Sequence, residues 1–162
     1  MAAPSYEESV FINCPFDTGY QDLFEAVVFT VQDCGFVARC AKEVRDSGEV
    51  RIDKILSIIR ACQYGIHDIS RTELDPAHGL PRFNMPLELG LFIGARAYGR
   101  DRQRDKRALI LDTEAYRYQK FCSDISGQDI EAHGGEPERA IRLVRDWLSD
   151  STEALIPSGS RI

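Results

Sequence analysis

Three signatures of common enzyme classes are missing from this chain. It has no G-x-x-x-x-G-K-[ST] loop, no G-x-G-x-x-G after its first apolar segment and no G-x-S-x-G. Those motifs build the phosphate loop of P-loop hydrolases, the dinucleotide turn of Rossmann dehydrogenases and the nucleophile elbow of serine hydrolases. The sequence therefore disfavours all three chemistries. Asn13-Cys14-Pro15 also lacks the acidic residues with which a phosphate-accepting receiver domain ends its first strand.

Basic charge, long apolar runs and paired cysteines are also scarce. The net charge of −6 makes nucleic acid an unlikely partner, because non-specific binding needs a positive surface that releases counterions. No apolar run approaches the roughly 20 residues of a membrane span. The five cysteines form no C-x-x-C pair, and His78 and His133 lack a second ligand at metal-binding spacing. Since no signal peptide is evident, we expect a cytoplasmic protein with reduced cysteines, no metal and no membrane contact.

The composition is that of one globular domain. The chain has 162 residues, of which 43% are hydrophobic and 28% charged, and this is enough for a substantial core. We expect a single domain over residues 1–162, ordered from about residue 8 to residue 150. The ends, 1–6 and 151–162, are expected to fray.

Strand and helix patterns alternate along the chain. This alternation predicts an α/β fold, a doubly wound sheet of about five parallel strands with helices on both faces. The predicted strands are Val10–Asn13, Phe36–Cys40, Tyr64–Ile69, Arg107–Leu111 and a weak segment near Ser123–Ser126. The predicted helices are Tyr20–Asp33, Ile52–Ala61, Asn84–Tyr98, a short one at Tyr116–Phe121, and Pro137–Leu148, with a polar loop at Arg45–Glu49.

The segment Phe83–Gly90 carries the most informative residue. It places the carboxylate of Glu88 between two leucines, in the first turn of a helix that we expect to be buried, with Asn84 as N-cap and Pro86 in the first turn. A carboxylate in an apolar segment has to be paired, hydrogen-bonded or reserved for chemistry, because burying it alone is costly. Two interpretations stay open: a catalytic group, or a glutamate favoured by the helix dipole.

The carboxyl ends of parallel strands predict a shared cleft. Loops 13–17, 68–82 and 112–116 should meet there, with Glu88 at the edge. Paired carboxylates such as Glu88 and Asp68 suit glycosidic chemistry at a sugar C1′. An aromatic ring, Phe11 or Phe16, can stack on a base. Two arginines of the long loop, Arg71 and Arg82, can bind a phosphate, and the same loop holds Asp75.

Each of these residues also has a structural interpretation. Asp68 can cap the turn after its strand, and Asp75 can be a turn residue before a proline. Phe11 suits the core better than a ligand platform. Arg71 and Arg82 can be solvated loop charges.

Three blocks of this sequence resemble the nucleoside 2-deoxyribosyltransferase superfamily, which includes nucleotide N-glycosidases and, related in fold, TIR-like NAD-consuming domains. The blocks are Val10–Phe16, Cys62–Asp68 and Asn84–Gly90. The resemblance implies a flavodoxin-like, deoxyribosyltransferase-like sheet. It also implies that Glu88 attacks C1′ or stabilises an oxocarbenium-like transition state, with Asp68 as a supporting acid or hydroxyl binder.

The resemblance further implies how a substrate is held. The pocket for the substrate's base and sugar would be lined by Asn13, Pro15, Phe16, Asn84 and Met85. The arginines favour a phosphorylated substrate, a nucleotide or NAD+, and no cofactor is expected beyond NAD+ as a substrate. A role in bacterial defence is compatible with this family.

Two functions follow as hypotheses. The first is an enzyme, a glycohydrolase or transferase, that breaks an N-glycosidic bond. The second is a non-catalytic nucleotide-binding or self-assembling TIR-like signalling module. Under either hypothesis we expect a homo-oligomer, with the segment 116–128 as a candidate contributor to a neighbouring subunit's pocket.

Overall fold

A computed structural model describes residues 4–43, 50–75, 77–152 and 156. The predicted polar loop at 45–49 and most of the predicted frayed ends (1–3, 153–155 and 157–162) lie outside these residues. Tyr6 differs from the expectation for the N-terminal end. Its side chain is buried, and its hydroxyl donates a hydrogen bond of 2.7 Å to the carbonyl of Arg102.

The core of the fold is a five-stranded, all-parallel sheet in the order β2-β1-β3-β4-β5. This confirms the predicted doubly wound α/β class. The strands are β1 Ser9–Asn13, β2 Val37–Arg39, β3 Tyr64–Asp68, β4 Arg107–Asp112 and β5 Asp129–Ala132. The helices are α1 Gln21–Asp33, α2 Arg51–Ala61, α3 Asn84–Tyr98 and α4 Pro137–Ser151.

Helices cover both faces of the sheet, and strand alternation decides which residue faces which layer. Val10 and Ile12 of β1 face α1 and α4 in one core cluster. Phe11 faces the opposite way, into a cluster with Ile55 of α2 and Phe92 of α3. Phe11 is thus a core residue and no platform for a ligand. Successive side chains of a strand point to opposite faces of the sheet, so odd-numbered and even-numbered residues of a strand face different helix layers.

The fifth strand lies later in the chain than predicted. The segment near Ser123 forms a 3-10 turn, Ser123–Ile125, and the strand is Asp129–Ala132. As the edge strand, β5 pairs only with β4, and its residues alternate between exposed and half-buried. An edge strand that exposes one face to solvent needs no continuous apolar run, so the apolar pattern of the sequence did not predict β5.

The start of α3 also differs from the prediction. The first helical hydrogen bond runs from the amide of Leu87 to the carbonyl of Phe83, at 2.9 Å. Phe83 is therefore the N-cap residue, and Asn84 is the first residue of the helix, with no side-chain capping bond. Glu88 is then the fifth residue, beyond the first turn, so the helix-dipole explanation of its presence loses force.

Candidate functional site

A cleft of about 520 Å³ opens where β1 and β3 end. In this strand order the chain crosses in opposite directions from β1 and β3, and such switch points are where doubly wound sheets bind ligands. The volume falls in the range of small-molecule sites. The lining residues are Asn13, Cys14, Pro15, Phe16, Asp17, Arg51, Arg82, Asn84, Met85 and Glu88.

Glu88 enters this cleft from α3, and only 6% of its surface is exposed. Within the described part of the chain, its carboxylate makes no hydrogen bond and no ion pair. Burial raises the pKa of the Glu88 carboxyl above its ordinary value, and the charge of Arg51 opposes that rise. A buried carboxylate that no protein group satisfies is a typical feature of a functional site.

The floor of the cleft is a hydrogen-bond chain centred on Asn13. Its amide nitrogen donates to the carbonyl of Met85 at 2.8 Å and to Nδ1 of His67 at 3.1 Å. His67 is fully buried, and burial lowers its pKa to about 3. The imidazole is therefore neutral, and with Nδ1 as acceptor its proton sits on Nε2. Asn13 thereby ties the end of β1 to β3 and to the first turn of α3.

Phe16 forms an aromatic wall of the cleft. Its ring packs edge-to-face on Phe24 at a centroid distance of 5.6 Å, and the Lys42 ammonium lies 4.4 Å from the Phe16 ring centroid. One side of the ring is thus engaged by a cation. A base can use only the part of the ring that lines the cleft.

Arg51 and Arg82 bring positive charge to the cleft from two different elements. Arg51 is the first residue of α2, and Arg82 precedes α3, so both lie beside helix N-termini that favour anions. Arg82 lies 3.8 Å from a carboxylate oxygen of Asp75 and is mostly exposed. Sequence reasoning did not single out Arg51, because its segment showed only the pattern of an amphipathic helix.

Arg71 and Asp75 line an adjoining pocket of about 330 Å³. Arg71 donates to the carboxylate of Asp17 at 3.1 Å, and Asp17 and Arg82 line both pockets. Asp75 accepts a hydrogen bond of 2.8 Å from the amide of Ala77, and this bond is the main reason that its pKa is lowered. That geometry is the turn role that the sequence offered as the alternative for Asp75.

Asp68 lies on the other side of the sheet from Glu88. It is not among the residues that line the 520 Å³ cleft. Its carboxylate accepts hydrogen bonds from the hydroxyl of Tyr20 at 2.5 Å, from Nε2 of His133 at 3.0 Å and from the amide of Ser70 at 2.8 Å. His133, which looked isolated in the sequence, therefore belongs to a buried network, where its Nδ1 accepts from the amide of Gly135.

The structure thus brings together seven of the ten predicted site residues and separates three. One cleft holds Asn13, Pro15, Phe16, Arg82, Asn84, Met85 and Glu88. Arg71 and Asp75 lie in the adjoining pocket, and Asp68 lies in the buried network. Asp17 lies in the loop 13–17 that was expected at the cleft, but no role was predicted for it, and Arg51 was not predicted. Sequence reasoning missed His133 because its pairing with Asp68 depends on where β5 lies, and it assigned no role to Tyr20, which precedes α1.

Other types of site are not found among the residues that the structure describes. No three histidine, cysteine or carboxylate side chains there converge as metal ligands. None of the described helices combines the length and the apolar character needed to cross a bilayer. All five cysteines are unpaired. Neither a protein-family model nor a curated protein matches this chain.

Proposed function

We propose that this protein cleaves the N-glycosidic bond of NAD+ or a related nucleotide at the 520 Å³ cleft, with Glu88 acting on the sugar C1′. The observation that carries the proposal is the buried Glu88 carboxylate, which lines a nucleotide-sized cleft at the switch point without a protein partner. The likeness of three sequence blocks to the deoxyribosyltransferase superfamily supports the same reaction. A bacterial defence role and a cytoplasmic location belong to this proposal.

The reaction needs one carboxylate and water. The bond between C1′ and the base nitrogen breaks, and both electrons leave with that nitrogen. The oxocarbenium-like sugar is stabilised or attacked by the Glu88 carboxylate. A water oxygen then bonds to C1′ and releases a proton. For NAD+ the products are nicotinamide, ADP-ribose and that proton.

The carboxylates of the cleft favour NAD+ over a mononucleotide. Nicotinamide leaves NAD+ as a neutral molecule and needs no proton donor, whereas a purine base benefits from protonation as it leaves. The other carboxylate that lines the cleft, Asp17, is engaged by Arg71, and Asp68 is engaged by Tyr20 and His133. Neither is a free proton donor beside Glu88.

The two arginines supply affinity for phosphate. A dinucleotide carries its charge on a pyrophosphate, and guanidinium groups bind such oxygens through paired N–H donors. In the proposed complex Arg51 and Arg82 hold the pyrophosphate, Asn13 and Met85 form the floor, and Asp17 accepts a hydrogen bond from a ribose hydroxyl.

Product analysis tests the proposal. The purified chain is incubated with NAD+ and, separately, with nucleoside monophosphates, and free nicotinamide or base is measured by chromatography. We expect release from NAD+ that Glu88→Gln abolishes and that the control Glu138→Gln retains, because Glu138 is exposed on α4 and lines no described pocket. Equal release by wild type and Glu88→Gln would remove Glu88 from the chemistry.

Nucleotide binding without turnover is the second candidate. It is favoured by one observation: Asp68, the second carboxylate of the sequence hypothesis, does not line the cleft with Glu88. Under this alternative, ADP-ribose or NAD+ raises the melting temperature, Arg51→Gln and Arg82→Gln remove that shift, and no nicotinamide appears. Turnover by the isolated chain would exclude it.

A further inference from the structure

The outward face of α3 is apolar along its whole length. At 100° per residue, seven residues share the arc that points away from the sheet, and none of them is charged. They are Phe83, Leu87, Gly90, Leu91, Gly94, Ala97 and Tyr98, here called the α3 face. Phe83 is 68% exposed, Leu87 55% and Tyr98 91%.

This face differs from the outward faces of the other layer's helices. The exposed positions of α1 include Asp22 and Glu25, and those of α4 include Glu138, Arg139 and Arg142. Charged outward faces are the rule for surface helices, and an uncharged exposed stripe marks a contact surface. The sequence predicted a buried helix here, and the structure buries only the opposite side, through Met85, Leu89 and Phe92.

We propose that the α3 face packs against the α3 face of a second copy of this chain, with the two helices antiparallel across a two-fold axis near Gly90 and Gly94. This goes beyond the proposed function and does not depend on it. A two-fold interface has to be self-complementary, since each copy contributes the same patch.

The order of side-chain sizes along α3 meets that requirement. Bulky residues stand at both ends, Phe83 and Leu87 at one and Tyr98 at the other, and glycines occupy the middle. An antiparallel crossing centred between Gly90 and Gly94 lets the backbones approach closely there. It also places Leu87 of each copy opposite the Ala97–Tyr98 end of the other. The bulky side chains at the two ends of each helix then pack on either side of the close contact between the glycines.

Charge and area both favour a second copy as the occupant. The chain carries a net charge of −6, so copies repel each other, and at an uncharged patch two copies can meet without bringing like charges together. At about 200 Å² for each aromatic side chain, Phe83 and Tyr98 together offer about 300 Å². Leu87, Ala97 and the glycine backbone add about 200 Å², because Leu91 is partly packed against the core cluster that contains Phe11. The total of about 500 Å² per partner, about 1,000 Å² for the pair, reaches the low end of specific interfaces.

Sedimentation velocity on the full chain tests the proposal, over concentrations of about 1 to 100 µM. We expect wild type at twice the chain mass of 18.3 kDa. Leu87→Glu and Gly94→Arg should weaken association by about 100-fold or more, because each places charge in the apolar contact. Phe29→Glu is the matched control, since Phe29 on α1 is 56% exposed but lies on the opposite side of the sheet. Circular dichroism checks that each variant folds.

The orientation has its own test. In the antiparallel arrangement a mixture of Leu87→Glu and Tyr98→Lys forms a dimer more strongly than Leu87→Glu alone, because the new charges face each other across the axis. Three results would overturn the proposal: a monomeric wild type over the whole range, dimers that survive both Leu87→Glu and Gly94→Arg, or equal loss with Phe29→Glu. A monomeric wild type would assign the face to a different protein.

Discussion

Replacing Glu88 by Gln should make the protein more stable at neutral pH. The substitution keeps the size of the side chain and removes the charge of a carboxylate that is almost fully buried and that no described residue satisfies. Gln keeps a polar amide at the same place, so only the extra cost of burying the charge is removed, and the carboxylate oxygens keep contact with solvent in the cleft. We therefore expect a gain of up to about 1 kcal/mol in the free energy of unfolding.

The gain should depend on pH in a defined direction. The pKa of Glu88 is raised in the folded state, so protonation favours folding. The resulting stability is present below the carboxyl's ordinary pKa of about 4.3 and is lost as pH rises through the folded-state pKa. At about pH 4 the wild-type side chain is protonated and resembles Gln, so the two proteins should then melt alike.

Thermal unfolding at equal protein concentration measures this difference. For a chain of this size about 1 kcal/mol moves the melting temperature by about 2–4 °C, so Glu88→Gln should melt up to about 4 °C higher near neutral pH. Glu138→Gln, which removes a first-turn carboxylate from α4, should show no such rise. A melting temperature that does not rise for Glu88→Gln, or a rise that is equal at both pH values, would refute the argument that Glu88 is buried without a partner.

Three further predictions concern the surroundings of the cleft. Gly65→Ala should destabilise the protein by about 1–3 kcal/mol in a denaturant titration, because the added Cβ would lie 2.7 Å from Nε2 of His67 and 2.8 Å from the Phe92 ring; an unchanged midpoint would contradict this packing. In the folded protein the pKa of His67 is about 3, below its unfolded value, so its contribution to stability is full above about pH 6.5 and falls as the pH drops toward 3. When unfolding is measured across that range, His67→Gln should lose part of this acid sensitivity. An identical pH profile would argue against a neutral His67. Asp68→Asn should cost about 1–3 kcal/mol in a denaturant titration, because an amide places a donor against at least one of the three donors around Asp68. The folded variant should still bind ADP-ribose in calorimetry as wild type does. Lost binding with unchanged stability would show that Asp68 belongs to the binding site.

The sequence predicted most of the fold because the buried strands are apolar and the helices carry apolar residues at helical spacing. β1, β3 and β4 lie within a residue or two of their predicted ranges. The position of β5 was not predictable in this way, because Asp129–Ala132 is a short edge strand with alternating polarity. That single misplacement hid the pairing of His133 with Asp68.

The candidate site was predictable to the extent that it depends on loops after strands. Asn13, Phe16 and Glu88 follow from the general rule that parallel strands carry ligand sites at their carboxyl ends. Arg51 lies at the same edge, at the start of the helix after β2, and was missed because only the loops after the first, third and fourth strands were expected at the cleft. The separation of Asp68 from Glu88 follows from strand alternation, because His67 faces the layer that contains α3 and Asp68, the next residue, faces the other layer.

The uncharged imidazole beneath Asn13 has a consequence for enzymology. With its pKa near 3, His67 keeps one protonation state, and hence one arrangement of donors around Asn13 and Met85, over the pH range in which cells live. An inflection between about pH 5 and 8 in a pH–rate curve of the proposed reaction would then not come from His67. His67 thus has a structural role beneath the cleft, through its hydrogen bond with Asn13.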